Sequence, residues 1–313
     1  MSDPVLSVVV PLYNEQEVID ETYKRLTETL DSTGESWEVI FVNDGSTDST
    51  GALAHKICAN DHRFRLITFS RNFGHQCAIT AGMERASGQA VVVIDADLQD
   101  PPEVILDMLK RWRDGYQVVY GRRISRKGES LFKKLTAKLF YRGLDSLSGV
   151  KMPVDAGDFR LLDRQVIETL KQLPEHNRYV RGLVSWVGFK QTAVDYVRQP
   201  RFAGETKYPL KKMLRLAGDG VVAFSSKPLT LPLWVGSFLS IIGFVYIITL
   251  CVRAIFFSSP PGWSIVLSVI ITFFGLNLVF LGILGCYLSR VVDETRSRPL
   301  FIVSEEEGFP END

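Results

Sequence analysis

The sequence predicts an α/β protein with a mostly parallel sheet, followed by amphipathic interface helices and a C-terminal hairpin of two transmembrane helices. Two observations predict the sheet: short apolar runs rich in β-formers alternate with amphipathic stretches, and polar residues follow the end of each of the first four runs. A third observation predicts the hairpin, because charged residues almost vanish between Pro228 and Ser289.

The predicted strands lie within roughly the first 125 residues, and the segments between them are predicted as helices. Each strand is a short apolar run, as expected for strands that are buried on both faces. The runs are Val5–Val10, Glu38–Val42, Arg65–Phe69, Ala90–Ile94 and Gln117–Tyr120. Ligands of such sheets bind beyond the carboxyl ends of the strands, so the residues after each run are the candidates for function.

Four polar segments follow the first four strands: Pro11–Glu15, Asn43–Asp48, Ser70–Gly74 and Asp95–Gln99. Each segment taken alone also suits a turn or a helix cap, and Asp48 is placed to cap the next helix. Parallel strands bring all four segments to one edge of the sheet. A shared ligand explains that coincidence better than four separate caps.

Asp95 and Asp97 are the most informative pair in these segments. Residues two apart on an extended chain point to the same side, so the two carboxylates would repel each other unless a cation or proton intervened. A hard divalent cation bound by one or two carboxylates and by substrate phosphates resolves the repulsion. Such a cation would stabilise the charge that develops on a departing nucleotide. The alternative is a pair of solvated acids at a strand end.

Several other classes of function lack support. Neither a Walker sequence nor a Gly-Xaa-Gly-Xaa-Xaa-Gly motif occurs, so a P-loop or a dinucleotide cofactor is not indicated. Lys plus Arg (36) balance Asp plus Glu (36), so bulk charge gives no support for a nucleic-acid partner. The four cysteines form no CxxC pair, which fits a reducing compartment.

The membrane region is predicted at 229–290, with helices at about 233–257 and 263–289 joined by a tight turn. Basic residues flank the outer ends of the pair, whereas only Arg253 lies on the turn side. We therefore expect a multi-pass protein of the inner or plasma membrane, with both termini, the domain 1–225 and the tail 291–313 in the cytoplasm. The first residues lack the pattern of a signal peptide. The alternative is two buried helices of a soluble protein.

The motifs together resemble the family 2 glycosyltransferases that act on polyprenyl phosphates, which include bactoprenol glucosyltransferases and dolichol-phosphate mannose synthases. The resemblance covers nearly the whole chain and is carried by Val-Pro-Leu-Tyr-Asn-Glu, Asn-Asp-Gly-Ser-Thr-Asp, Arg-Asn-Phe-Gly, Asp-Ala-Asp-Leu-Gln-Asp-Pro-Pro-Glu and Arg-Phe-Ala-Gly-Glu-Thr-Lys-Tyr. It implies a GT-A (Rossmann-like) fold, a nucleotide-sugar donor, Mg²⁺ or Mn²⁺, a polyprenyl-phosphate acceptor, inversion at the anomeric carbon and a possible homotetramer. UDP-glucose is the first choice of donor, with mannose or a modified arabinose left open.

The resemblance also implies roles for individual residues. The nucleoside would contact Pro11, Tyr13, Glu15, Asp44 and Asp95. The metal would bind to Asp97, and the donor sugar would lie near Gln99. The diphosphate would contact Arg201 and Lys207. Asp158 matches the residue assigned as catalytic base. The family often has Asp-Asp-Gly-Ser where this chain has Asn43-Asp44-Gly45-Ser46, so the second acid of that motif is present here and the first is replaced by Asn43.

Two alternatives to a catalytic base remain open for Asp158. A lipid phosphate is already an anion near neutral pH, since its second pKa is about 6, so Asp158 could instead position the acceptor or steer the sugar. Asp158 could also cap a helix over Leu161–Leu170.

A basic, amphipathic region is the predicted dock for the acceptor. Eight basic residues lie between Arg122 and Arg142, opposed only by Glu129, and leucines and phenylalanines recur beside them at helical spacing. We expect interface helices at about 128–146 and 206–225, and we assign the lipid phosphate to Arg122, Arg126 and Lys127. A solvated helix packed on the catalytic domain is the alternative.

Two rival functions fit less well. A processive polysaccharide synthase shares the nucleotide motifs, but its Gln-Xaa-Xaa-Arg-Trp motif is absent and two spans are few for a channel. An inactive membrane scaffold or flipping partner would not need to retain Asp95, Asp97 and Asp158.

Overall fold

The computed structural model describes residues 4–124, 156–173, 175, 178–199 and 263–309. The chain divides into two compact units. One comprises Met1–Asp145, Val150–Leu216 and Pro299–Asp313, and the other Ser146–Gly149 and Ala217–Arg298. The predicted interface helices at about 128–146 and 206–225, and the predicted first span at about 233–257, lie outside the described residues.

All five predicted strands are present, with ends that differ by a few residues. They are β1 (Leu6–Leu12), β2 (Trp37–Asn43), β3 (Phe64–Phe69), β4 (Ala90–Val93) and β5 (Val118–Arg123). The helices between them are α1 (Ile19–Asp31), α2 (Thr50–Asn60), α3 (His75–Arg85) and α4 (Val104–Arg113). Every residue of β1 and β2 is buried, as the continuous apolar runs predict.

The chain continues with β6 (Ala156–Asp163), α5 (Arg164–Lys171), α6 (Val180–Trp186) and β7 (Gln191–Tyr196). Asp158 therefore lies inside a strand, and the alternative in which it caps a helix over Leu161–Leu170 is wrong. The cap of α5 is Asp163, whose side chain accepts a hydrogen bond from the Gln165 N–H.

The strands form one eight-stranded sheet in the order β7-β5-β6-β4-β1-β2-β3-β8, where β8 is Val303–Glu307. Neighbours are parallel except at β6, which runs antiparallel to β4 and β5, and at β8, which runs antiparallel to β3. The register pairs Leu12 with Asn43 at the ends of β1 and β2, so the loops that follow these strands begin side by side. The sheet thus presents one edge at which successive loops meet.

Strand β8 was not predicted, and it changes the role of the predicted tail 291–313. Residues 303–307 pair with β3, with Thr68 opposite Glu305 and Leu66 opposite Glu307. A run of three glutamates has a weak strand signal, because Glu is depleted in strands. A charged edge strand protects a sheet against pairing with other chains, which gives this composition a physical reason.

The second unit contributes helix α7 (Trp263–Thr295), which coincides with the predicted second span and continues beyond it. Apolar side chains along α7 are exposed, among them Ile270, Phe274, Leu281 and Leu288. Among the helices that the structure describes, none combines the length and apolar character needed to cross a membrane.

Candidate functional site

The loops after β2 and β3 are joined through the carboxylate of Asp44. This buried side chain accepts hydrogen bonds from the backbone N–H groups of Phe73 (2.7 Å) and Gly74 (3.0 Å). Burial raises the pKa of Asp44, and the two N–H donors partly oppose that shift. Asp44, predicted to contact the nucleoside, thus also fixes the shape of the edge where a nucleoside would bind.

The loops after β1 and β2 are joined in a similar way. The Asn14 side chain accepts a hydrogen bond from the Thr47 N–H (2.9 Å), and the Glu15 N–H donates to the Thr50 hydroxyl (2.8 Å). Asp48 accepts a hydrogen bond from the N–H of Thr50, the first residue of α2 (3.0 Å), although Ser49 and not Asp48 stands at the N-cap position. Pro11 lies near the end of β1 and Tyr13 is exposed in the loop beyond it, so the predicted nucleoside-binding residues lie on adjacent loops.

Gly45 allows the second and third loops to approach closely, and its replacement provides a first prediction. Gly45 has a φ of +64°, and a Cβ there would lie 2.6 Å from the backbone nitrogen of Asn72. We expect Gly45→Ala to lower the free energy of unfolding by about 2–4 kcal/mol, because a left-handed conformation and a backbone clash both oppose alanine. Thermal unfolding of the full chain measures the change.

Gly34 is the matched control, because it has a φ of +70° but a Cβ added there would meet nothing within 4 Å. Gly34→Ala should cost only the conformational part, about 1 kcal/mol. Equal losses for the two variants would show that close approach of the loops is unimportant.

Four charged side chains form the centre of the site. They are His75 at the start of α3, Asp95 after β4, Asp158 in β6 and Arg181 in α6. The Arg181 guanidinium donates two hydrogen bonds of 2.7 Å to the two oxygens of Asp158. The His75 Nε2 atom lies 3.4 Å from Asp158 Oδ2 and 3.5 Å from Asp95 Oδ1. An imidazole therefore stands between two carboxylates, one of which is clamped by arginine.

This arrangement fixes the charges of Asp158 and His75. Burial opposes ionisation of Asp158, but Arg181 and His75 together hold its pKa well below the usual range. Burial would likewise lower the pKa of His75, yet its hydrogen bond to Asp158 and the charge of Asp95 raise the pKa to about 9. Near neutral pH the site thus contains an ionised Asp158 and a protonated His75.

Asp95 has a buried carboxylate oxygen, Oδ1, that lacks a hydrogen-bond partner among the residues that the structure describes. Burial raises the pKa of Asp95 to about 6, opposed by His75 and reinforced by the negative charges of Asp158, Asp100 and Asp97, in that order. The sequence predicts repulsion between Asp95 and Asp97, and in the structure Asp158 repels Asp95 more strongly than Asp97 does.

The residues after β4 suit a hard divalent cation. Asp95 offers a buried oxygen without a hydrogen-bond partner in the described part of the chain, and Asp97, two residues along, is a second oxygen donor. Within the described ranges no three acidic, histidine or cysteine side chains cluster as a complete metal site. A cation that also takes oxygens from a substrate diphosphate needs only one or two protein carboxylates.

The Asp95–Asp100 segment is anchored through its last residue. Asp100 is fully buried and accepts a hydrogen bond from the Tyr196 hydroxyl. Arg123 donates to both oxygens of Asp100, at 3.4 and 3.3 Å, and the Gln199 N–H donates to the Gln99 carbonyl oxygen (2.9 Å). Strands β5 and β7 thereby hold the segment that carries both candidate metal ligands.

The predicted acceptor-binding residues are only partly described. Arg122 lies on β5 and forms a two-bond ion pair with Asp195 of β7, at 2.5 and 2.8 Å, so this guanidinium already has a carboxylate partner. Arg126, Lys127, Arg201 and Lys207 lie outside the described residues.

Three residues of the site were not predicted: His75, Arg181 and Asp100. His75 directly follows the polar segment after β3, so its place at the ligand edge was a usable signal. Arg181 enters from a helix after β6, and no local motif marks it. Asp100 follows the Asp95–Gln99 segment, but its burial depends on β7, which was not predicted.

Because of His75, the free energy of unfolding should decrease as the pH rises in the alkaline range. Its pKa rises from an ordinary 6.5 to about 9 on folding, so its contribution is complete below about pH 6.5 and is lost as pH rises through 9. Because the side chain is one-third exposed (33%), we expect a loss on the order of 1–2 kcal/mol. Thermal midpoints at pH 6.5 and 9.5 should converge in His75→Gln. The same change at the exposed His62 should leave the wild-type pH dependence intact, and an unaltered dependence in His75→Gln would contradict the assignment.

Comparisons with known proteins place the sequence among glycosyltransferases. The profile of Glycosyl transferase family 2 matches residues 7–171. The uncharacterized glycosyltransferase YkcC of Bacillus subtilis (strain 168) is 54% identical over 304 residues, covering 97% of this chain and 94% of the relative. The bactoprenol glucosyl transferase of Shigella phage SfV is 37% identical over 302 residues, covering 96% of this chain and 98% of the relative.

Among solved structures, one similar chain is glucosyl-3-phosphoglycerate synthase from Mycobacterium tuberculosis in complex with Mn²⁺, UDP and glucosyl-3-phosphoglycerate. It is 20% identical, with a TM-score of 0.48, and the match covers 70% of this chain and 78% of that chain.

Proposed function

The chain belongs to glycosyl transferase family 2, and we propose that it transfers a hexose from a nucleotide sugar, with UDP-glucose the first choice, to a polyprenyl phosphate. The enzymatic class and the GT-A-like α/β fold follow from the family. The observation that carries the proposal is the group of Asp95, Asp97 and Asp158 at the edge where the β1, β2 and β3 loops meet. The likeness to bactoprenol glucosyl transferases over almost the whole chain supports this acceptor.

Mg²⁺ or Mn²⁺ would be held by Asp97, with Asp95 beside it, as the oxygen donors of this segment suggest. When bound, the cation supplies charge stabilisation to the departing nucleoside diphosphate. Gln99 lies on the same segment, and in our proposal it contacts the donor sugar. Pro11, Tyr13, Glu15 and Asp44 form the nucleoside side of the site.

The reaction that we propose is a direct displacement. An oxygen of the lipid phosphate attacks the anomeric carbon, and the bond from that carbon to the nucleotide oxygen breaks, so that the configuration inverts. Asp158 is a poor general base for this step, because Arg181 occupies both of its oxygens and its pKa lies far below neutral pH. The lipid phosphate is already anionic and needs no base. We therefore assign Asp158 to positioning, with Arg181 and His75 holding its carboxylate.

The acceptor would reach this edge from the membrane. We propose a transmembrane hairpin over 229–290, interface helices at about 128–146 and 206–225, and a cytoplasmic catalytic domain. The exposed apolar side chains of α7 support a lipid environment for that helix. The lipid phosphate would be bound by Arg122, Arg126 and Lys127, and the diphosphate by Arg201 and Lys207. On binding, Arg122 would leave its ion pair with Asp195 and pair with the lipid phosphate instead. A homotetramer is part of the same proposal.

Transfer of mannose or a modified arabinose to the same acceptor is the second candidate, since the same loops would bind their nucleotides. Processive synthesis is less well supported, because the Gln-Xaa-Xaa-Arg-Trp motif is absent from the sequence.

A donor and acceptor panel tests the proposal. Purified full-length protein is incubated with UDP-glucose, UDP-N-acetylglucosamine, GDP-mannose or a UDP-arabinose derivative, each with undecaprenyl phosphate and with Mg²⁺ or EDTA. We expect a glycolipid from UDP-glucose that depends on the metal. A product from another donor would change the sugar, whereas products longer than one sugar would favour a processive enzyme. Absence of lipid-linked product with every donor would reject the proposal.

A further inference from the structure

The C-terminal segment 301–307, which we call the closing segment, lies along β3 as far as the beginning of the loop 70–74. The Ser70 N–H donates to the Ile302 carbonyl oxygen (3.0 Å), and the Ser304 hydroxyl donates to the Thr68 carbonyl oxygen (3.0 Å). The strand register shifts between Thr68 and Phe69, at the point where β3 ends. The closing segment therefore contacts the residues from which the third loop departs.

An aromatic series continues from the closing segment into that loop. The Phe301 ring stacks on Phe69, with centroids 4.9 Å apart and planes 14° apart. Phe69 in turn meets Phe73 edge to face, with centroids 5.7 Å apart and planes at 87°. The Arg71 guanidinium covers the Phe73 ring at 4.0 Å. Phe73 is thus packed between its own loop and a ring that the closing segment supports.

The series ends at a residue of the candidate donor site. The Phe73 N–H donates the 2.7 Å hydrogen bond to Asp44, and Gly74 donates the next one. Gly74 has a φ of +105°, and His75 begins α3 immediately after it. A displacement of the Phe73 ring would therefore disturb the Asp44 carboxylate and the start of the helix that carries His75.

We propose that Phe301 is a positioning residue of the donor site, acting through Phe69 and Phe73 to keep the Asp44 loop ready for a nucleoside diphosphate. The identity of that ligand rests on the proposed function, whereas the positioning itself does not. The physical basis is preorganisation, since a loop that is already ordered loses less conformational freedom when the ligand binds. The closing segment follows α7 in the chain, so a segment far from the nucleotide motifs in sequence completes their geometry.

Binding of UDP with Mg²⁺ to the full-length protein, measured by calorimetry, tests this role. Phe301→Ala should weaken UDP affinity about three- to tenfold, which is the size expected for the loss of one aromatic pair. The KM for the donor should rise by the same factor while kcat stays within about twofold. Phe301→Tyr keeps the stacked ring and should restore both values.

Phe309→Ala is the matched control. Phe309 belongs to the same C-terminal region but packs beside Arg65 and Arg85, and Arg65 lies near the beginning of β3. The Phe309→Ala variant also removes one phenyl ring from the C-terminal region, but it leaves Phe301, Phe69 and Phe73 in place. UDP affinity should therefore remain unchanged. Equal weakening in both variants would mean general detachment of the tail and would overturn the proposal.

Amide hydrogen exchange of peptides covering residues 70–76 provides a readout without nucleotide. Exchange should accelerate in Phe301→Ala and not in Phe309→Ala, and unchanged exchange in Phe301→Ala would overturn the positioning role. If the wild-type protein bound neither UDP nor GDP, the proposed donor class would fail, and the exchange experiment alone would decide the role of Phe301.

Discussion

Replacement of Asp97 by alanine should reduce kcat/KM by about 10²–10⁴-fold. A bound divalent cation contributes several kcal/mol to the stabilisation of developing charge, and each 1.4 kcal/mol corresponds to a factor of about ten. We propose that Asp97 binds this cation, and Asp97 lies on the segment that Asp100 anchors to β5 and β7. Steady-state transfer from UDP-glucose to undecaprenyl phosphate, measured across a series of Mg²⁺ concentrations, gives the loss.

The matched control is Asp107→Ala on α4, which removes an exposed carboxylate whose ion-pair partner is Lys110. It should leave kcat/KM and the Mg²⁺ dependence unchanged. Calorimetry should further show that Asp97→Ala weakens binding of Mg²⁺ together with UDP. Full turnover by Asp97→Ala would refute the assigned metal ligand and, with it, the proposed mechanism.

Replacement of Arg181 by methionine should lower the free energy of unfolding by about 2–3 kcal/mol. Removal of one partner leaves the Asp158 carboxylate, only 7% exposed, without its two guanidinium hydrogen bonds. The expected loss is below that of a fully buried pair because the Arg181 side chain is 32% exposed. The thermal midpoint in detergent should fall by about 4–12 °C.

Two further variants separate charge pairing from general damage. Arg111→Met removes an exposed guanidinium that lies 3.7 Å from Asp114, and we expect a change within about 0.5 kcal/mol. Arg181→Met combined with Asp158→Asn should regain part of the lost stability, because the unpaired carboxylate is gone, while activity stays low. If the double variant were no more stable than Arg181→Met, the loss could not be assigned to an unpaired Asp158.

The strands and the ligand edge were predictable because their signals are local. Buried parallel strands appear as uninterrupted apolar runs, and the chain order of such strands places their polar ends together. The Asp44, Asp48 and Asp95 segments are found where this reasoning puts them. The assignment of residues 156–163 to a strand was not predictable in the same way, since it depends on pairing with β4 and β5.

The electrostatic partners could not be derived from the sequence, because they come from elements far apart in the chain. The motif around Asp158 suggests a catalytic base. The neighbouring Arg181 instead keeps the Asp158 carboxylate ionised, because it holds the pKa well below the usual range. His75 was one of four scattered histidines until the fold placed it between Asp95 and Asp158. Side-chain chemistry is visible in a sequence, whereas protonation depends on three-dimensional neighbours.

The position of β8 sets an order of events during synthesis. Strand β8 pairs with β3 but is translated only after α7, so the sheet cannot acquire its eighth strand until residues 303–307 have left the ribosome. Contacts between such distant segments form late, since a long loop must close first. Until then the nascent protein exposes the bare edge of β3. A ribosome stalled before residue 303 should therefore hold a domain that proteases and other nascent chains can still attack along that edge.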